Sequence, residues 1–189
     1  MHPPMASHHV ARTLLTRDQI QDRIIEMASE IERDTPGDTL IHLVCVLKGG
    51  FMFLADLVRA MGDRVTMDFI AVSSYGKGTR TSGQVRLLKD LDHSIEGRDV
   101  IIVEDIVDTG LTLTYLQEIL RARAPGRLRT VCLLSKPSRR LVNVHIDYTG
   151  FNIGDHFVIG YGLDYAEQYR NLPHIAILGH DGSDEELDM

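Results

Sequence analysis

Apolar residues recur along this chain with two different periods, and the change from one to the other marks out its elements. Thr16-Arg17-Asp18-Gln19 has the form of a helix capping box, and Ile20, Ile24, Met27, Ala28 and Ile31 then fall on one helical face. Pro36-Gly37 ends that predicted helix. Leu40 to Leu47 is apolar throughout except for His42, as expected of a strand covered on both faces, with His42 read as a satisfied core or edge histidine. After Lys48-Gly49-Gly50, the residues Phe53, Leu54, Leu57, Val58 and Met61 trace a second helix that stops at Gly62. Val65 to Val72 reads as the next strand and Gln84 to Leu88 as a returning one, a hairpin-like flap. Between them lies a Gly-, Ser- and Thr-rich stretch, Ser73 to Gly83, whose composition predicts a mobile loop of the kind used as a lid. Val100 to Val103 is the most apolar strand of all. It is followed by a helix with Leu113, Leu116, Ile119 and Leu120 inward and Pro125-Gly126 at its end. Arg129 to Ser135 is a further strand, and short strands are expected near Val144 to Tyr148 and Phe157 to Gly160. Strands alternating with helices predict an α/β protein with a mostly parallel central sheet flanked by helices.

Composition narrows the class without changing that picture. A chain of 189 residues with 43% hydrophobic and 25% charged residues suits one ordinary globular domain. Residues 1–12, polar and carrying His2, His8 and His9, read as a disordered leader, residues 13–180 as a single domain, and 181–189 as an acidic disordered tail. A net charge of −7 argues against a nucleic-acid partner. Cys45 and Cys132 sit in apolar strand-like runs and read as buried, reduced thiols. No long apolar run is visible, so no membrane association and a cytoplasmic location are expected.

The candidate chemistry concentrates behind the most apolar strand. Glu104 and Asp105 stand at its end, Asp108 comes three residues later, and Thr109-Gly110-Leu111-Thr112 opens a helical pattern. Parallel sheets bind ligands beyond the carboxyl ends of their strands, and the N–H groups at a helix start suit a phosphate. Carboxylates beside a phosphate cradle call for a divalent cation to hold the like charges together. These residues therefore predict a site for a metal-bound sugar phosphate. Lys48, at the same edge, suits an anionic group. Gly76-Lys77-Gly78-Thr79 superficially has the look of a P-loop, but it lacks the earlier glycine and no helix follows.

Four blocks in order, Leu47-Lys48-Gly49-Gly50, Ser73-Ser74-Tyr75-Gly76, Val103 to Thr112 and Phe157 to Arg170, make the chain similar to bacterial purine phosphoribosyltransferases. The Ser-Ser-Tyr-Gly block and Gly160-Tyr161-Gly162-Leu163-Asp164-Tyr165 narrow the resemblance to the 6-oxopurine, hypoxanthine (hypoxanthine-guanine) branch. The resemblance implies a type I phosphoribosyltransferase fold with a small hood and a flexible lid loop. It implies a Mg²⁺-dependent reaction of phosphoribosyl pyrophosphate with hypoxanthine or guanine, giving IMP or GMP and pyrophosphate. Residue by residue, it places Glu104 and Asp105 at the ribose hydroxyls and magnesium, and Asp108 at the purine N7 as general base. Asp108, Thr109, Gly110, Leu111 and Thr112 would surround the 5′-phosphate. Leu111 departs from relatives that carry lysine there, which implies altered phosphate affinity rather than lost function. Lys48, Gly49 and Arg170 would bind pyrophosphate, and Ser74 and Tyr75 would belong to the lid. The purine would meet Ile106, Lys136 at its 6-oxo group, the stacking ring of Phe157, and Val158; Asp164 would lie at the purine-side edge and hold a second magnesium. In relatives the Leu47-Lys48 peptide is cis, and the subunits form homodimers or homotetramers. Two rivals follow from the same resemblance. One is a regulator of this fold that binds phosphoribosyl pyrophosphate and RNA, which the negative charge and intact Asp108 oppose. The other is a transferase for xanthine or another base.

Overall fold

The computed structural model describes residues 8–74 and 85–180. Nine strands and three helices occur among them: β1 His8–Leu15, α1 Arg17–Arg33, β2 Ile41–Leu47, α2 Phe51–Ala60, β3 Val65–Ser74, β4 Val85–Lys89, β5 Asp99–Val107, α3 Leu111–Arg121, β6 Arg127–Ser135, β7 Tyr148–Asn152, β8 Val158–Ile159 and β9 Ile175–His180. Six strands form the central sheet in the order β4-β3-β2-β5-β6-β7, and β1, β9 and β8 form a separate three-stranded sheet. All pairings of the central sheet are parallel except β3 with β4.

The reason for this layering is legible in β2 and β5, which are apolar on both faces. Leu43, Cys45, Ile101 and Val103 face one core, shared with Ile20, Ile24, Met27 and Ile31 of α1 and Phe53 and Leu57 of α2. Val44, Val46, Val100 and Ile102 face the other, covered by Leu113, Leu116 and Leu120 of α3. Each such side chain stabilises the fold by about 1.5–3 kcal/mol through removal from water, before entropy is counted. The capping box of α1 is present, with Thr16 Oγ1 accepting from the Gln19 N–H at 3.3 Å and Gln19 Oε1 accepting from the Thr16 N–H at 2.9 Å. His42, expected as a satisfied histidine, is buried and satisfied at one ring nitrogen only: Nδ1 lies 2.8 Å from Thr66 Oγ1, while Nε2 has no partner among the described residues.

Several expectations give way. The strand β1 runs through the segment read as a disordered leader: residues 8–12 pair antiparallel with β9, from His8 opposite His180 onward. The side chains from Val10 to Thr13 are exposed, so main-chain pairing rather than an apolar pattern creates it. The strand expected near Val144 to Tyr148 instead spans Tyr148–Asn152. Val144 and Ile146 pack on the α3 side as irregular chain. Phe157 precedes its strand, which is only Val158–Ile159, and β9 had no counterpart in the sequence reading. Arg129, expected only as a strand residue, is 2% exposed and donates to Asp99, Thr35 Oγ1 and the Tyr148 hydroxyl, each at 2.9 Å. That network joins the turn after α1 to β5, β6 and β7.

Candidate active site

Because β2, β3, β5 and β6 run parallel, their carboxyl ends deliver Lys48, Ser74, Glu104 to Val107 and Lys136 to one edge of the sheet. This is where an open α/β sheet takes its ligand. The strand β5 extends further than its apolar run, so Glu104 and Asp105 lie within its last turn of pairing rather than after it. Glu104 is 5% exposed, and burial, then the neighbouring Asp105, hold its carboxyl well above the ordinary range. Burial pushes the Asp105 carboxyl up to about 6, against the pull of the Ile106 N–H, which it accepts at 2.8 Å, and of Arg170. Burial disfavours the ionised forms of both carboxylates, and a hard cation bound between them would favour those forms. Among the described residues no three acidic, His or Cys side chains converge on one point.

The loop after β5 leads into α3 through Gly110, whose φ of 87° is left-handed and favours glycine. Leu111, Thr112 and Leu113 then present main-chain N–H groups at a helix start, the first of them 3.4 Å from Thr109 Oγ1. Asp108 is half-exposed, with Arg139 Nε donating to its Oδ1 at 3.1 Å. Lys136 is buried, and its N–H donates to the Val107 carbonyl at 3.0 Å, locking the base of this loop to the end of β6.

On the other side stands the segment from Gly160 to Arg170. Left-handed φ occurs at Tyr161 (49°), Ala166 (50°), Glu167 (64°) and Tyr169 (73°). Strain of this kind costs about 1–3 kcal/mol per residue and gathers at binding sites. Arg170 donates from Nη1 to the Gly162 carbonyl and pairs through Nη2 with Asp164, both at 2.7 Å. Asp164 also accepts the Glu167 N–H at 2.9 Å. Glu167 in turn pairs with Lys48 at 2.8 Å. Gly49 lies directly under the Asp105 carboxylate: a Cβ built there would sit 1.5 Å from Oδ2. Phe157 is 52% exposed, with its ring edge-on to Tyr165 at 5.7 Å, available as a face for a flat ligand. Val158 is buried, Ile106 is half-buried between Asp105 and Val107, and the Leu47-Lys48 peptide is cis.

The structure thus brings Lys48, Gly49, Glu104, Asp105, Ile106, Asp108 to Thr112, Lys136, Phe157, Val158, Asp164 and Arg170 to one edge and its facing segment. Ser74 ends β3 there, while Tyr75 and the rest of the expected lid lie outside the described residues. Asp164 is paired with Arg170, and both bear on the Asp105 carboxyl, Arg170 lowering it and Asp164 raising it. Arg139, Arg140 and Glu167 were not anticipated. Each is a charged residue in a turn, with no periodicity to single it out.

Residues 12–166 match a family model described as the phosphoribosyl transferase domain. The chain belongs to the phosphoribosyltransferase family. A hypoxanthine-guanine phosphoribosyltransferase of Bacillus subtilis is 46% identical over 174 residues, 92% of this chain and 96% of that one. One from Mycobacterium tuberculosis is 50% identical over 175 residues, 89% and 86% of the two chains. Among solved structures, a hypoxanthine-guanine phosphoribosyltransferase of Bacillus anthracis with HEPES in its active site aligns at a TM-score of 0.85 and 46% identity, covering 92% of this chain and 99% of that one. A ternary substrates complex of a Trypanosoma cruzi hypoxanthine phosphoribosyltransferase mutant aligns at 0.83 and 49%, covering 90% and 96%. Among the described residues no helix is long and apolar enough to cross a membrane.

Proposed function

We propose that this chain transfers the phosphoribosyl group of phosphoribosyl pyrophosphate to hypoxanthine and guanine, giving IMP or GMP and pyrophosphate. The observation that carries the reading is the meeting, at one sheet edge, of the buried Glu104 and half-buried Asp105, a helix start and the buried Lys136. In the reaction, a purine nitrogen bonds to the ribose anomeric carbon as the bond to pyrophosphate breaks, its electron pair leaving with the pyrophosphate oxygen. Positive charge grows on the ribose, as in glycoside hydrolysis. Asp108 takes the proton the purine gives up. The amides from Asp108 to Thr112 hold the 5′-phosphate. Lys48, the Gly49 backbone and Arg170 hold the pyrophosphate, and Lys136 donates to the purine 6-oxo group. Phe157 stacks on the ring, beside Ile106 and Val158. Ser74 and Tyr75 belong to the lid that excludes water. Glu104 and Asp105 would hold one Mg²⁺ and Asp164 a second, which would supply charge neutralisation to the departing pyrophosphate.

Lys136 also accounts for base choice, since a cationic donor meets an acceptor in a 6-oxopurine and another donor in adenine. The same reading treats residues 13–180, preceded by part of β1, as one catalytic domain. It extends to a cytoplasmic location, for which the two free buried thiols speak. It also extends to a homodimer or homotetramer, which light scattering tests. A competition assay with Mg²⁺, phosphoribosyl pyrophosphate and equal hypoxanthine, guanine, xanthine, adenine and uracil tests the chemistry. IMP and GMP should dominate, and Lys136→Ala should weaken the purine more than phosphoribosyl pyrophosphate. AMP as the main product would overturn the role of Lys136. No nucleotide at all, with tight RNA binding, would overturn the reading as a whole.

A further inference from the structure

A basic turn lies across the acidic loop. Pro137–Arg139 forms one turn of 3-10 helix directly after Lys136. Arg139 Nε donates to Asp108 Oδ1 at 3.1 Å, and its Nη1 donates to Asp155 Oδ2 at 3.3 Å. The next residue, Arg140, donates to the carbonyls of Val107 and Asp108 and, at 2.9 Å, to Ser135 Oγ. Arg140 therefore holds the backbone of the loop and Arg139 its carboxylate. Among the described residues, Asp108 Oδ2 has no side-chain partner. Asp155 lies two residues before Phe157, on the segment that leads into the purine-facing ring.

We propose that Arg139 is a positioning residue for the purine step, clasping the Asp108 loop to the segment before Phe157 so that Asp108 Oδ2 is presented to the base. The inference rests on the reading of Asp108 as the group that takes the purine proton. A guanidinium donates in a fixed plane, so binding two carboxylates through Nε and Nη1 sets their separation, which a flexible ammonium does not. A bare contribution to folding does not account for the arrangement, because pairs between half-exposed side chains stabilise little. Both halves here are 39% or more exposed. One carboxylate oxygen restrained and the other open is the arrangement a general base needs, since geometry at the abstracted proton dominates its efficiency.

A double-mutant cycle read by single-turnover IMP formation tests this, with melting temperatures as the check on folding. Arg139→Gln should slow the chemical step about threefold to fivefold, the reach of an exposed pair, and leave the KM for phosphoribosyl pyrophosphate and the melting temperature unchanged. Arg139→Lys, which keeps the charge but not the fork, should remain below wild type, and Asp155→Asn should move the rate in the same direction. In an Asp108→Asn background, Arg139→Gln should have no further effect. An equal loss in both backgrounds, a loss confined to the KM for phosphoribosyl pyrophosphate, or full activity in Arg139→Lys would overturn the inference alone. An Asp108→Asn variant of undiminished rate would instead overturn the reading of Asp108, and this inference with it.

Discussion

The Lys48 ammonium and the Glu167 carboxylate stand 2.8 Å apart, joining two residues 119 positions apart in the chain. Arg170, the other cation expected at the pyrophosphate, is paired with Asp164 and lies 3.5 Å from the same Glu167. Glu167 and Asp164 thus place anions against the two cations proposed to hold pyrophosphate, and on that reading the substrate has to displace them. Lys48 and Glu167 are both about two-thirds exposed, so the competition is mild. Glu167→Gln is expected to lower the KM for phosphoribosyl pyrophosphate about twofold to fivefold, with kcat held or reduced by slower pyrophosphate release. Initial rates at varied phosphoribosyl pyrophosphate check this, and a raised KM would assign Glu167 to substrate binding instead.

Asp108→Asn keeps the side chain's shape but cannot take a proton. The single-turnover rate is expected to fall about 10²- to 10⁴-fold, the span usual for losing a general acid–base group, with phosphoribosyl pyrophosphate still bound. Rapid-quench measurement of IMP, alongside a binding titration, reads both quantities. An unchanged rate removes Asp108 from the proton transfer.

The acidic pair makes the metal-free protein less stable at neutral pH than it would otherwise be. An unfolded carboxyl titrates near 4, whereas burial holds Asp105 up to about 6 and also raises Glu104 well above its ordinary range. Between about pH 4 and 6 the folded chain therefore binds more protons than the unfolded one. Its stability from these groups is fully present below the unfolded value and is lost as pH rises through the folded value. Asp105→Asn, which carries no charge, is expected to raise the melting temperature in chelator at pH 7–8, to flatten the pH dependence and to abolish turnover. Calorimetry from pH 5 to 8 on both proteins checks the sign, and a variant less stable than wild type at pH 8 would contradict it.

Gly162 carries two constraints at once. Its φ is 97°, and a Cβ there would come within 2.1 Å of the Gly49 carbonyl oxygen. Gly49 itself lies against the Asp105 carboxylate, so a displacement at 162 is passed to that carboxylate. Gly162→Ala is expected to cost about 2 kcal/mol or more in chemical denaturation, and to reduce activity beyond what the residual folded fraction explains. Wild-type stability in this variant would show that the two loops do not press on each other.

Much of the frame was readable before any fold was known. The α1 face of Ile20, Ile24, Met27, Ala28 and Ile31 and its Thr16-Gln19 cap are all present, because helical period and capping are local properties. The two-sided apolar runs at β2 and β5 announced a buried parallel sheet for the same reason. By contrast, β1 and β9 pair through main-chain groups over a separation of 160 residues or more; the exposed side chains from Val10 to Thr13 do not announce a strand, and the buried apolar run Ile175 to Leu178 does not name its partner. The shift of β7 to Tyr148–Asn152 follows from its register with Val131 to Ser135, a partner choice that local pattern does not encode.

The same division runs through the site. Sequence alone determined which residue types were available and in what order: an acidic pair, a third carboxylate, a glycine and threonines at a helix start, Lys48 and Lys136. That followed because backbone amides, carboxylates and cations carry their chemistry wherever they are placed. Only the tertiary structure decided which charges meet: Glu167 with Lys48, Arg139 with Asp108 and Asp155, Asp164 with Arg170. It also decided how far burial raises Glu104 and Asp105, because desolvation and Coulomb energy depend on distances across the fold rather than along the chain.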